Sequence, residues 1–158
     1  LVSELTRLRV EVLLEDDFAI YGDSVVGGGH PMTHILPNRE LESQLDNSSI
    51  HGLVFSEFSN ADAYSDDDAE LIRSLENISF LVLDETAAGN VTCEMICRMP
   101  RLQYLALSGT QVTDKGLMEL VSLPRLHVVD VFGSKVTHEG IERFKKARPD
   151  VVVFNWYH

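Results

Sequence analysis

His30 and His34 have an H-x3-H spacing beside Gly27, Gly28 and Gly29. On a helix that spacing puts two imidazoles on one face, where they can chelate a metal. Pro31 and the glycines instead predict a solvated loop, and no third ligand stands out. Cys93 and Cys97 are four apart, a spacing open to redox or metal chemistry. Cys93, however, falls in the register of Leu117, an inward position, and free cysteine is commonly buried. Core packing is the expectation there. Asp66, Asp67 and Asp68 bring three carboxylates together without the spaced ligands of a calcium loop. At a helix start such charges are favourable, so capping and solvation account for them. No nucleophile elbow, phosphate loop or paired His–carboxylate motif occurs. The chain is therefore expected to be non-enzymatic, with no catalytic, cofactor-binding or metal-ligating residues.

The bulk composition narrows the partners. With 158 residues and 44% hydrophobic content, the chain suits one domain with a sizeable core. Thirteen Lys and Arg face 25 Asp and Glu, a formal net charge of −12. That balance repels phosphate backbones and anionic membrane, so neither nucleic acid nor direct membrane binding is expected. No apolar run approaches the roughly 20 residues that span a bilayer. Two cysteines are too few for a disulfide-stapled scaffold. The first residue is Leu rather than Met, which fits a segment of a longer chain.

The elements that would position any site come from a repeat. "LALSGTQVTDKGLMEL" at 105–120 returns 24 residues later as "VDVFGSKVTHEGIERF" at 129–144. Leu102, Leu105 and Leu107 match Leu126, Val129 and Val131; Thr110 matches Ser134; Gly116-Leu117 matches Gly140-Ile141. A third copy holds Ile78, Leu81, Leu83 and Thr86, then Cys93, Ile96 and Met99. A looser copy begins at Ile50 with Leu53 and Phe55 and recovers at Ala69, Ile72 and Leu75. A last partial copy is read through Val151, Phe154 and Trp156. The first half of each copy alternates as a strand does, and the second repeats every three to four residues as a helix does. Ser65, Thr113 and Thr137 precede the helical halves, where a hydroxyl can cap free N–H groups. One such unit cannot bury its own apolar edge; stacked units can, which predicts an α/β solenoid with a short parallel sheet.

The pattern L-x-x-L-x-L-S-G-T-x-V-T-D-x-G-L resembles the leucine-rich repeat family. It is similar to the short repeats of many bacterial members and to the cysteine-containing repeats of F-box partners. The likeness covers residues 50–158 as about four copies and a partial last strand, with residues 1–49 as an N-terminal cap. It implies strands on a concave face, helices on the convex face, and binding more often than catalysis. No F-box role is carried over.

Within the cap, "SELTRLRVEVLLED" predicts a helix face of Leu5, Leu8 and Val12. "FAIYG" predicts a strand, "GDSVVGGG" a turn and "PNRELESQL" a short helix. Alternation in the repeats sends Gly52, Val54, Ser56, Phe80, Val82, Asp84, Tyr104, Ala106, Ser108, Val128, Asp130, Phe132, Val153, Asn155 and Tyr157 to the concave face. Nine of these fifteen are apolar or aromatic, many for a surface expected to meet water. Phe80, Tyr104, Val128 and Val153 are expected to form one apolar ladder. The leading expectation is a protein partner held by Phe80, Val82, Tyr104, Ala106, Val128, Asp130, Phe132 and Tyr157. The alternative is a structural or assembly domain of a longer, membrane-anchored bacterial protein, its concave face covered by its own N-terminal segment.

Overall fold

The computed structural model describes the backbone of residues 11–14, 19–21, 24–26, 34–35, 50–54, 64–73 and 77–155, with side chains over 51–54, 64–73 and 77–155. Five short strands run parallel: β5 (Ile50–Val54), β6 (Phe80–Val82), β7 (Tyr104–Ala106), β8 (Val128–Asp130) and β9 (Val152–Phe154). Parallel neighbours need a long crossover, and each one here contains a helix. The helices are α1 (Ala69–Arg73), α2 (Asn90–Ile96), α3 (Asp114–Glu119) and α4 (His138–Ala147). At the other edge, β1 (Glu11–Leu14) pairs antiparallel with β5, and β4 (His34–Ile35) pairs antiparallel with β1. A separate two-stranded sheet joins β2 (Ala19–Tyr21) to β3 (Ser24–Val26). The protein is thus α/β, with a five-strand parallel sheet and four helices among the described residues.

The core lies between that sheet and the helices. Leu53, Leu81, Leu105 and Val129 point into it from the strands and are fully buried. Ile72, Cys93, Ile96, Leu117, Ile141 and Phe144 meet them from the helices in the same cluster. Each such side chain, removed from water, contributes about 1.5–3 kcal/mol before ordering costs are subtracted.

Polar side chains at the corners make the stacking specific. The hydroxyls of Thr86, Thr110 and Ser134 are buried, and each donates to the carbonyl three residues back, at 2.7, 2.7 and 2.8 Å. The residue before each hydroxyl is left-handed: Glu85, Gly109 and Gly133 have φ of 57°, 66° and 63°. Glycine adopts that conformation freely, whereas Glu85 is strained by it.

The helix starts hold a second ladder. Asp66 accepts hydrogen bonds from the N–H groups of Gly89, Val91 and Thr92 and from the Thr92 hydroxyl. Asn90 Oδ1 accepts from the N–H groups of Thr113 and Gly116, and Asp114 accepts from Thr137 N–H and its hydroxyl. So the first helical turn of one unit caps the helix of the next. Thr113 makes no side-chain cap on its own helix, contrary to the sequence reading, because Asn90 already accepts from the Gly116 N–H. Ser65 and Thr137 do cap their own turns. A methyl group at Gly140 would collide with the Asp114 carboxylate, so this contact selects glycine. In the earlier copy Thr92 stands at the equivalent place and hydrogen-bonds Asp66 instead.

Four expectations need correction. Val12 lies in strand β1, not on a helix face, because the edge of β5 offers the segment hydrogen bonds that its periodicity does not reveal. The turn read at "GDSVVGGG" contains strand β3. The last copy is one residue out of register: Val152, not Val153, pairs with Val128, and Val153 packs against the core. His34 is likewise in a strand rather than a loop. His30, Leu5, Leu8, Ser56, the helix read at "PNRELESQL" and Tyr157 lie outside the described residues.

Candidate interaction face

The face of the sheet opposite the helices is built from two cross-strand rows. Gly52, Phe80, Tyr104, Val128 and Val152 form one row. Val54, Val82, Ala106, Asp130 and Phe154 form the other. Adjacent parallel strands lie roughly 4.8 Å apart, so side chains within a row touch. The rings of Phe80 and Tyr104 do so directly, stacked at 4.5 Å between centroids and 10° between planes. Beyond the strand ends the register continues through Asp84, Ser108 and Phe132, held by bonds such as Glu85 N–H to the Ser108 carbonyl.

Exposure is uneven along this face. Phe132 is 50% exposed, while Phe80, Val82, Tyr104, Asp130, Val152 and Phe154 are half-buried. Ala106 and Val128 are only 2% and 1% exposed. Their side chains offer no surface, although the sequence placed both among the partner-binding residues. Ala106 is short and lies between Val82 and Asp130 in its row; Val128 lies between Tyr104 and Val152. Phe154 belongs to the face and was assigned inward by the sequence reading. The 24-residue step from Asp130 would have found it.

Carboxylates edge the aromatic patch. Asp84 Oδ1 accepts from Ser108 N–H at 2.8 Å, and Asp130 Oδ1 accepts from Phe132 N–H at 2.9 Å. Burial raises the Asp84 carboxyl above its ordinary range, opposed by the Ser108 bond and aided by the charge of Asp130. Burial also raises the Tyr104 hydroxyl, with Asp130 and Asp84 pushing the same way. Acidic and aromatic groups therefore share one small field.

The other candidates resolve structurally. Cys93 is buried, and burial pushes its thiol up, away from the reactive thiolate. Cys97 donates its thiol to the Glu119 carbonyl at 3.0 Å. Asp66–Asp68 form a 3-10 turn in which Asp68 closes a capping box with Ser65 and Asp66 caps the start of α2. Among the described residues no cluster of three or more His, Cys, Asp or Glu is placed to hold a metal. No helix there is long and apolar enough to cross a membrane.

No family model matches the chain. No curated protein matches it either. Among solved structures it is similar to one titled "Leiomodin-1 Actin-Binding Site 2 (ABS2)", at 13% identity and a TM-score of 0.49, over 63% of this chain and 68% of that one.

Proposed function

We propose that residues 50–158 form a leucine-rich repeat solenoid capped by residues 1–49, and that the protein is a non-enzymatic interaction module. The partner is a protein, held against the concave face opposite the helices. One observation carries this reading: half-exposed Phe132 continues a face on which Phe80 and Tyr104 stack, so an aromatic patch meets solvent where packing does not demand one. Phe80, Tyr104, Phe132, Val82 and Asp130 are its contact residues, joined by Val152 and Phe154.

Selection of a displayed peptide library against the protein tests this. Bound sequences should lose affinity for a Tyr104→Ala/Phe132→Ala variant that still melts cooperatively. Binders indifferent to both truncations would refute the face.

The near-complete burial of Ala106 and Val128 within this chain favours a second reading, a structural domain whose face is covered by the chain itself. In that case the Tyr104 and Phe132 truncations lower the melting temperature as strongly as core truncations do.

A further inference from the structure

We infer that the partner segment occupying this face carries arginine, its guanidinium pairing with Asp84 and Asp130 beside the exposed ring of Phe132. The inference rests on the reading of this face as an interaction surface and adds the chemistry of its occupant. The first ground is charge. Every described residue projecting from the two rows and their continuation is apolar, small, aromatic or acidic; none is Lys, Arg or His. The described ion pairs join Arg73 to Glu70, Lys115 to Glu94, Arg143 to Asp114, Lys145 to Glu142 and Arg148 to Asp150. None reaches Asp84 or Asp130, so these two carboxylates have no cationic partner among the described residues.

The second ground is geometry. Asp130 is oriented by one N–H bond through Oδ1, which leaves its Oδ2 available to a donor, and Asp84 is held by Ser108 through both its N–H and its hydroxyl. The charge of Asp130 acts on Asp84, and the charges of both act on Tyr104, which places the three in one electrostatic neighbourhood. Glu85 adds an exposed carboxylate beside them, lying over Gly109. A planar guanidinium suits this surface better than a compact ammonium. It stacks on an aromatic ring and donates in a fork to a carboxylate at the same time. A phosphate-bearing or acidic segment meets repulsion at every one of these groups.

Short fluorescein-labelled peptides of one apolar frame, with Arg, citrulline or Glu at alternate positions, test the inference by fluorescence anisotropy. Citrulline keeps the shape of arginine without its charge. The Arg peptide should bind about tenfold more tightly than the citrulline peptide, and the Glu peptide should not bind. Added salt should narrow the difference. An Asp84→Asn/Asp130→Asn variant keeps an oxygen acceptor for both N–H groups. It should lose about tenfold in affinity for the Arg peptide and little for the citrulline peptide. The Arg–citrulline comparison on the unaltered protein stands even if that variant fails to fold. Equal binding of the two, abolished by Tyr104→Ala/Phe132→Ala, overturns the arginine inference and leaves the interaction face standing. Binding by no peptide, or binding indifferent to the aromatic truncations, overturns both.

Discussion

Leu105 and Tyr104 are neighbours on β7 and face opposite surroundings. Leu105 is fully buried against the helices; Tyr104 lies half-buried on the other side. Along the sheet the inward row barely changes, from Leu53 through Leu81, Leu105 and Val129 to Val153. The outward rows change at almost every step: Phe80, Tyr104, Val128, Val152, and Val82, Ala106, Asp130, Phe154. Packing density explains the first, since a core position tolerates little variation in volume. It does not explain aromatic rings beside carboxylates on the second. That difference is what points to a requirement outside the fold.

The sharpest way to test the contrast is Leu105→Asp. It places an unpaired charge in the core and should cost more than about 4 kcal/mol, enough to abolish the cooperative melt by circular dichroism. An unchanged midpoint would mean that Leu105 is not a core residue.

Next in size is Asp66→Ala, which removes the acceptor of four hydrogen bonds at the start of α2. A loss of about 1–2 kcal/mol by urea denaturation at neutral pH is expected. Burial pushes the Asp66 carboxyl up, but the bonds from Thr92, Gly89 and Val91 outweigh it and hold it below the ordinary range. The depressed folded value fixes the sign. Its contribution is present above the unfolded carboxylate value of about 3.9 and fades as pH falls through the lower folded value. Measured at sufficiently acid pH, the gap between variant and parent should close; a constant gap would rule out the charge.

Tyr104→Ala probes the other side of the same strand and should cost only about 1 kcal/mol of stability, mostly the lost stacking with Phe80. Leu105→Ala, which leaves a cavity, should cost about 2–5 kcal/mol. Equal melting shifts for the two truncations would erase the distinction between the faces.

The smallest effect is a gain. Glu85→Gly relieves a left-handed glutamate and should raise stability by about 0.5–1 kcal/mol in thermal melts. Loss of stability instead would mean that the Glu85 side chain supports the corner.

The parallel register, the core and the Thr86–Thr110–Ser134 corners were legible because two periods, one near two and one near 3.6, recur at a fixed step. The register of β9 was not, because Val151, Val152 and Val153 give alternation no contrast to follow. Strand β1 was hidden because Leu5, Leu8 and Val12 share a helical spacing, while its pairing partner, β5, lies far along the chain. The capping pattern was read only as local caps at Ser65, Thr113, Thr137 and Asp66–Asp68, and Asn90 and Asp114 were not read as caps. Asp66, Asn90 and Asp114 recur at the repeat step, but their targets are N–H groups of the following unit. The candidate face was legible in its aromatics. Burial of Ala106 and Val128 was not, since it depends on the reach of neighbouring side chains across the sheet.

The Asp66–Asn90–Asp114 ladder also gives the stack a direction. Each of these side chains serves the unit that follows and asks nothing of the unit before. Removing units from the C-terminal end therefore leaves every remaining helix start satisfied. Removing one from the N-terminal end takes the cap away from the next helix start, whose N–H groups have no partner within the helix. A chain emerging from the ribosome meets this asymmetry in the favourable order, because the acceptor for each helix start is synthesised before the helix that needs it.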